Sequence, residues 1–151
     1  KNYNYPMPPP ACIFCEILAG RAPASFVYRS EDCAAFMDIR PVNPGHVLVI
    51  PIAHAARLAE LDPATGMHMF QVAQRLAAAL RASGLRCEGV NLFLADGTAA
   101  GQEVHHVHLH VFPRWVGDGH RLRFSPNYFQ PTSRQEIEAA AEQLRTIFKT
   151  P

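Results

Sequence analysis

A row of alternating histidines is the feature of this sequence most able to do chemistry. The three histidines, each followed by an apolar residue, are His106, His108 and His110. Because alternate side chains of a strand point to opposite faces, this spacing predicts three imidazoles on one face and apolar side chains packed in the core. A neutral imidazole is a competent nucleophile near neutral pH. The pattern alone also fits a histidine-rich exposed strand or a simple metal patch.

A loop of small residues enters this strand. Residues 96–103 read Asp-Gly-Thr-Ala-Ala-Gly-Gln-Glu. Such a loop lets backbone N–H groups and the Gln102 amide approach an anion closely, while a strand imidazole faces the same anion. This layout favours phosphoryl chemistry, in which a covalent histidine intermediate divides one difficult displacement into two easier ones. That step requires no metal.

A second group of chemistry-bearing residues opens the chain as Cys12-Ile-Phe-Cys15. Two thiolates supply half of the four ligands of a structural zinc ion, and a redox motif is the alternative. A redox pair is expected after a strand in a βαβ frame, and only a proline-rich segment precedes Cys12. The other cysteines, Cys33 and Cys87, are predicted to be small buried hydrophobic residues.

The elements that must position these residues follow from periodicity and capping. A short helix is predicted from Cys12 to Gly20, and a long central helix from an Asp62 N-cap to Gly84. A closing helix begins at the capping box Ser133-x-x-Glu136. The predicted strands cover residues 25–29, 33–38, 45–50, 89–95 and 103–112. This order predicts an α+β fold with an antiparallel sheet of about five strands.

The apolar face of the central helix is predicted from residues that recur at helical spacing. These residues are Met67, Phe70, Ala73, Leu76, Ala77 and Leu80. Their apolar surface is large enough to pack either in the core or against a second copy of the chain.

Length and composition set the broad class. The chain has 151 residues, 48% of them hydrophobic, and a formal net charge of +1. These values predict one globular domain over residues 11–151, after a flexible tail over residues 1–10. Met7 is a candidate natural start, which would make the first six residues a remnant of cloning. The near-neutral charge argues against duplex nucleic acid or a membrane surface as partner. No apolar run reaches roughly 20 residues and no signal peptide is recognised, so we expect a cytoplasmic protein.

These motifs together resemble the histidine-triad (HIT) superfamily of nucleotide hydrolases and transferases. Its signature alternates three histidines with apolar residues, as His106-Val107-His108-Leu109-His110-Val111-Phe112 does here. The resemblance extends to the Cys12–Cys15 opening, residues 35–41, residues 44–51 with His54, and residues 100–104. It implies a HIT-like fold with one long central helix and a C-terminal helix. Residues 113–119 resemble the branch of fragile-histidine-triad dinucleoside polyphosphate hydrolases and their bacterial relatives.

The resemblance implies a reaction and roles for four residues. His108 would attack the α-phosphate of a dinucleoside polyphosphate such as diadenosine tri- or tetraphosphate, form a covalent nucleotidyl-histidine and release AMP. His110 and His46 would orient that imidazole and contact phosphate oxygens. Gln102 would stabilise the developing negative charge together with backbone N–H groups. The uridylyltransferase branch has glutamine at the position of His110, so hydrolysis is preferred over transfer.

The resemblance also implies substrate contacts. Asp38 would accept hydrogen bonds from the ribose, although a turn residue is the alternative. Apolar walls around a purine base would come from Phe14, Ile17, Phe36 and Ile39, for each of which an ordinary core position is the alternative. Loop contacts would come from Gly101, Gln102, Glu103 and Val104. Glu103 stands where eukaryotic members often carry Ser or Thr, and Ala95 where Asn or Gln is common.

A zinc site is implied by the bacterial members that open with Cys-x-x-Cys. One structural zinc per chain would be held by Cys12, Cys15, His54 and His106, which would fasten the N-terminal segment to the histidine strand. His106 would then be a ligand and leave His108 as the reactive imidazole. The remaining histidines are predicted to lie at the surface: His68, His105 and His120.

Two alternative activities are consistent with the same motifs, and the resemblance also implies an assembly state. A purine nucleoside phosphoramidase acting on adenosine phosphoramidate or an AMP-lysine adduct is the enzymatic alternative. A non-catalytic nucleotide sensor or scaffold is the alternative of another class. Relatives are usually homodimers in which the long helix and part of the sheet pair, so a homodimer is expected.

Overall fold

The computed structural model describes residues 12–148. These residues form two compact units, 12–118 and 119–148, which are described separately. The predicted tail over residues 1–10 lies outside the described residues. The single domain over residues 11–151 therefore stays a prediction.

The first unit is built on one sheet of five strands. They are β1 (Phe26–Arg29), β2 (Cys33–Met37), β3 (Val47–Pro51), β4 (Gly89–Phe93) and β5 (Leu109–Arg114). The strand order is β1-β2-β3-β5-β4, and every neighbouring pair is antiparallel. The predicted α+β class is confirmed.

Two helices of this unit complete the frame. The short helix α1 spans Ile13–Leu18 and the long helix α2 spans Pro63–Ala82. The Asp62 carboxylate accepts the N–H of Thr65 at 2.9 Å, and proline occupies the first helical position. This is the N-cap predicted from the sequence. Single 3₁₀ turns cover Leu58–Glu60 and Thr98–Ala100.

Apolar side chains cover the sheet in two separate clusters. One cluster packs α2 against β2, β3 and β5, with Val49, Val72, Ala73 and Val111 buried at its centre. The other contains residues of α1 and the sheet: Phe14, Ile17, Phe36, Leu48 and Ile50. Because the sheet packs on both sides, β2 and β3 are continuously apolar rather than alternating.

The predicted apolar positions of α2 divide between the core and the surface. Met67 and Phe70 are 66% and 54% exposed, whereas Met69 and Val72 are buried. The apolar residues of α2 fit a 3.6-residue period on either of two overlapping helix faces. The packing of α2 on the sheet determines which of these two faces is buried.

The histidine strand is shorter than predicted. Strand β5 begins at Leu109, not at residue 103. The N–H of His106 donates to the carbonyl of Val104 at 2.9 Å, and the N–H of Val107 donates to the carbonyl of Ala55 at 2.7 Å. Residues 103–108 therefore make turn and loop contacts before the chain joins the sheet. Strand β4 likewise ends at Phe93 rather than at residue 95.

The second unit contains a 3₁₀ turn, Pro126–Phe129, and the helix α3, Arg134–Ile147. Ser133 and Glu136 form the predicted capping box in both directions. No side chain of α3 is buried. Among the described residues, no helix is long and apolar enough to cross a membrane.

Candidate active site

Strands β3 and β5 bring the predicted catalytic histidines together. Leu48 pairs with His110 in the antiparallel register, and His46 directly precedes β3. The chain enters β3 through a turn in which the N–H of His46 donates to the carbonyl of Asn43 at 3.1 Å. His46 and His110, 64 residues apart in sequence, are thereby placed side by side.

The orientation of His108 is set by the backbone of its own segment. Its Nδ1 lies 2.7 Å from the carbonyl oxygen of His106, which can only accept, so Nδ1 carries the proton. In the neutral ring the other nitrogen, Nε2, then keeps its lone pair. His108 is buried, and its ring lies 4.9 Å from the ring of His110, centroid to centroid. The arrangement provides a fixed, unprotonated nitrogen beside a second imidazole.

A hydrogen-bond chain sets the proton of His110 in the same way. The backbone N–H of Val42 donates to Nδ1 of His46 at 3.0 Å, so His46 carries its proton on Nε2. That Nε2 lies 2.9 Å from Nδ1 of His110, which must accept. His110 therefore presents a protonated Nε2, a donor suited to a phosphate oxygen.

Burial keeps this histidine uncharged. It lowers the pKa of His110 from 6.5 to about 4, and the neighbouring His108 and His46 add to the effect. Burial also lowers the pKa of His106. Neutral imidazoles are the state that both nucleophilic attack and metal ligation require.

Asp38 lies at the end of β2, next to this chain. Its Oδ1 accepts the N–H of Arg40 at 2.8 Å, and its Oδ2 lies 3.6 Å from Nε2 of His46. The carboxylate also lines a cavity of about 300 Å³, whose lining residues are Pro23, Ala24, Ser25, Met37, Asp38 and Ile39. Its position between the histidines and a cavity is compatible with the role predicted for it.

The four predicted base-wall residues separate into two groups. Phe14, Ile17 and Phe36 are buried in the cluster that α1 forms with the sheet, and the Phe14 and His108 rings make a T-shaped contact with 5.3 Å between their centroids. Ile39 is 92% exposed and lines the cavity beside Asp38. The structure thus gives three of the four a core position and brings one of those three, Phe14, against the His108 ring.

The small-residue loop is held by Gln102. Its amide oxygen accepts the N–H of Gly97 at 2.8 Å, and its amide nitrogen donates to the carbonyls of Ala56 and Val104 at 2.7 and 3.1 Å. Gln102 is buried, so these contacts fix the loop conformation. Gly101 has φ +90°, which favours glycine at this turn.

The remaining loop residues point in different directions. The Glu103 carboxylate is exposed and lies 2.6 Å from the Arg40 guanidinium. Val104 packs against the cluster that α1 forms with the sheet. Ala95 is buried, and His105 is exposed as predicted.

The four predicted zinc ligands converge on one point. Donor atoms of Cys12, Cys15, His54 and His106 all lie within 4.8 Å of one another. Nδ1 of His106 is 3.4 Å from Sγ of Cys12 and 3.3 Å from Nδ1 of His54, and Sγ of Cys15 is 3.4 Å from that same His54 nitrogen. Bond lengths of about 2.0 Å to nitrogen and 2.3 Å to sulfur place tetrahedral ligands at about these separations.

The contacts around this cluster also suit a metal. Nε2 of His106 donates to the carbonyl of Pro51 at 2.9 Å, so Nδ1 is left unprotonated toward the cysteines. Burial and the adjacent Cys12 raise the pKa of the Cys15 thiol, so metal binding has to displace a proton there. The donor set and its geometry fit tetrahedral zinc.

One cluster was missed by the sequence analysis. His68, predicted as a surface histidine, is half-buried, and its Nδ1 lies 2.7 Å from Oδ1 of Asp32. Cys33 is buried as predicted, yet its Sγ lies 3.7 Å from that nitrogen. No sequence signal joins residues 35 positions apart on different elements, so only the packing of α2 on the β1–β2 turn reveals the cluster.

Comparison with known proteins places these features in a family. The HIT domain family model matches residues 19–116. An uncharacterized HIT-like protein of Mycobacterium tuberculosis is 41% identical over 138 residues, which are 87% of this chain and 94% of that protein. An adenylylsulfatase of Arabidopsis thaliana is 34% identical over 104 residues, which are 68% of this chain and 52% of that protein.

A solved structure agrees in fold and in sequence. It is a zinc-bound histidine triad family protein from Mycobacterium smegmatis with 42% identity and a TM-score of 0.71, covering 91% of this chain and 97% of that one. The family model spans the sheet, the central helix and all three triad histidines. The chain therefore belongs to the HIT domain family.

Proposed function

We propose that this protein is a nucleotidyl hydrolase of the fragile-histidine-triad-like branch, which cleaves dinucleoside polyphosphates at the α-phosphate and releases AMP. The observation that carries this proposal is the pair of fixed tautomers: an unprotonated Nε2 on His108 beside a protonated Nε2 on His110. Membership of a family that includes an adenylylsulfatase supports hydrolysis of an adenylyl compound.

In the first step, Nε2 of His108 attacks the α-phosphorus. A P–N bond forms as the bond from phosphorus to the bridging oxygen breaks, and the electron pair leaves with the nucleoside polyphosphate. The Nε2–H of His110 donates to a phosphate oxygen as negative charge develops. The His106 carbonyl stabilises the positive charge on the His108 ring through Nδ1–H.

In the second step, water attacks the same phosphorus and the P–N bond breaks, which returns the electron pair to Nε2 of His108. One proton of the water is lost to solvent, and its oxygen becomes part of AMP. The intermediate thus divides one displacement into two.

Substrate contacts are proposed around this centre. Asp38 accepts a hydrogen bond from the ribose and Ile39 contacts the base across the adjoining cavity. Phe14, Ile17 and Phe36 form the apolar floor beneath them. The loop of Gly101, Gln102, Glu103 and Val104 closes the phosphate side, with Gln102 acting through the loop conformation because its amide is bonded to backbone groups.

A turnover assay tests the reaction. We expect the protein to release AMP from diadenosine triphosphate or tetraphosphate, and His108→Ala to lower turnover by at least about a thousandfold. His105→Ala, which changes an exposed neighbouring histidine, is the matched control and should retain turnover. The same assay with adenosine phosphoramidate and adenylyl sulfate compares turnover with a nitrogen leaving group and with a sulfate leaving group.

Three outcomes are informative. Preference for adenosine phosphoramidate would replace the polyphosphate assignment with the phosphoramidase. AMP binding without turnover of any substrate would contradict the hydrolase and favour a nucleotide sensor. Full activity of His108→Ala would exclude His108 as nucleophile.

We propose one structural zinc per chain on Cys12, Cys15, His54 and His106. The convergence of the four donor atoms and the zinc-bound relative support it. A bound zinc would tie α1 to the segment that carries His108, without taking part in the reaction. Elemental analysis should find this zinc and show its loss in Cys15→Ser, and a zinc-free wild type would contradict the proposal.

We also propose a homodimer through the β4 edge. Strand β4 ends the sheet and exposes Leu92 and Phe93, 38% and 47% respectively. The opposite edge, β1, has only four residues and an irregular register between Phe26 and Tyr28. A regular, apolar edge is the one suited to pairing with a second chain.

A further inference from the structure

We propose a second metal-binding site, formed by Sγ of Cys33, Nδ1 of His68 and the Asp32 carboxylate, that takes Zn²⁺ or a similar divalent transition metal. Asp32 lies in the turn between β1 and β2, Cys33 begins β2, and His68 lies in the second turn of α2. The site shares no residue with the catalytic or proposed zinc residues, so it does not depend on the proposed function.

The three donor atoms converge on a common point. All lie within 4.8 Å of one another. Nδ1 of His68 is 3.7 Å from Sγ of Cys33, close to the separation of about 3.6 Å that tetrahedral zinc imposes on nitrogen and sulfur ligands. The same nitrogen is 2.7 and 2.9 Å from the two oxygens of Asp32. A metal would replace this hydrogen bond, with the half-exposed carboxylate moving outward by a fraction of an ångström.

The geometry distinguishes a metal site from a nucleophilic triad. In a Cys-His-Asp triad the thiol and the carboxylate contact opposite nitrogens of the imidazole. One nitrogen takes the thiol proton, and the carboxylate at the other nitrogen orients the ring. Here Asp32 and Cys33 both face Nδ1, and Nε2 faces the Tyr28 hydroxyl at 3.1 Å. Burial also raises the pKa of the Cys33 thiol, which disfavours it as a free nucleophile.

Neighbouring groups support the ligands as they do in metal sites. With Nδ1 bound to a metal, Nε2–H of His68 can donate to the Tyr28 hydroxyl. The Ser30 hydroxyl donates to Oδ1 of Asp32 at 2.7 Å and accepts the N–H of Cys33 at 3.2 Å. The ligands are therefore oriented before any metal arrives.

Charge and access fit a divalent ion. Binding would displace the Cys33 thiol proton to solvent and move the His68 proton from Nδ1 to Nε2. The thiolate and carboxylate then balance a charge of +2. The side chains of Asp32 and His68 are 40% and 28% exposed, whereas Cys33 is buried. A metal could enter from solvent and keep water as its fourth ligand, and sulfur, nitrogen and oxygen donors together suit zinc.

The first test counts zinc on the untagged chain by elemental analysis after saturation and removal of excess metal. His68→Gln and Asp32→Asn change partly exposed residues and should each bind one equivalent less than wild type. His105→Gln is the matched control and should bind the wild-type amount. Equal zinc content in wild type and His68→Gln would overturn the proposal.

The second test isolates the site. Cys12→Ser/Cys15→Ser removes the thiols of the proposed structural zinc site, and Co²⁺ titration then reports any remaining thiolate ligand by its charge-transfer absorption. We expect one Co²⁺ per chain with this absorption. Adding His68→Gln should abolish the absorption, and Tyr28→Phe should weaken the Co²⁺ affinity about 10- to 100-fold. Absence of the thiolate absorption in Cys12→Ser/Cys15→Ser, with the fold retained by circular dichroism, would contradict the site.

Discussion

At the scale of single residues, backbone groups assign the histidine protons. The carbonyl of His106 fixes the tautomer of His108, and the N–H of Val42 fixes that of His46 and through it that of His110. Backbone N–H and carbonyl groups have only one hydrogen-bonding role, so these assignments do not depend on pH in the range where the rings are neutral. The chemistry of the three imidazoles therefore follows from where the chain places two peptide groups.

His110 should make the protein sensitive to acid. Its pKa is about 4 in the folded state against 6.5 in the unfolded chain, because burial disfavours the charged ring. At pH values between 4 and 6.5, His110 binds a proton in the unfolded state but not in the folded state. The free energy of unfolding should therefore fall as pH decreases from 6.5 to 4, by up to about 3 kcal/mol from this residue.

Urea denaturation at several pH values measures this effect. His110→Gln keeps an acceptor for His46 and should show a shallower loss of stability with acid than wild type. His105→Gln, at an exposed site, should follow the wild-type curve. Parallel curves for wild type and His110→Gln would show that His110 does not titrate at a depressed pKa.

At the scale of elements, the turn into β3 positions His46. Gly45 has φ +103°, and a Cβ there would lie 3.0 Å from Cδ2 of Leu80, 3.1 Å from Cδ1 of Leu85 and 3.3 Å from Cγ of Pro113. A side chain at this position is thus opposed both by backbone conformation and by α2 packing. Helix, sheet and turn therefore meet at the residue that precedes His46.

Gly45→Ala should lower stability by about 1–3 kcal/mol, because it combines an unfavourable φ with close contacts. It should also lower turnover through the displaced His46–His110 hydrogen bond. Gly89→Ala is the matched control, since Gly89 lies in β4 with no atom within 4 Å of the added Cβ. Equal urea midpoints for the two variants would contradict this account of the turn.

At the scale of the whole molecule, apolar edges and faces remain uncovered in the first unit. Leu92 and Phe93 on β4 are exposed, as are Met67 and Phe70 on α2. The residues predicted as the apolar stripe of α2 thus divide between the core and the surface. Exposed apolar residues on a sheet edge and on the long helix are what the proposed homodimer would bury.

If the protein is a homodimer, size-exclusion chromatography with light scattering should give twice the mass of the 16.7 kDa chain. Leu92→Lys should produce monomers, because a lysine on a sheet edge opposes pairing with another strand. Val27→Lys, at an exposed position on the opposite edge strand β1, is the matched control and should remain dimeric. A wild type that elutes at the single-chain mass would exclude the dimer.

The sequence predicted the elements well and their ends less well. The helix caps at Asp62 and Ser133 were confirmed because capping depends on residues three positions apart. Strand β5 starts later than predicted because Val107 bonds to Ala55, a contact that no local pattern encodes. The four residues proposed to bind zinc lie close together, although Cys12 and His106 are 94 residues apart in the sequence.

Local chemistry, then, was determined by the sequence itself: the alternating histidines, the cysteine pair, the glycine-rich loop and the α+β order of elements depend on residue type and short spacing. Tertiary structure decided which nitrogen of each histidine carries the proton, because those partners are peptide groups brought together by the sheet. It also decided the buried face of α2 and assembled Asp32, Cys33 and His68. Contacts between distant segments arise only when the whole core packs, so short-range patterns do not contain them.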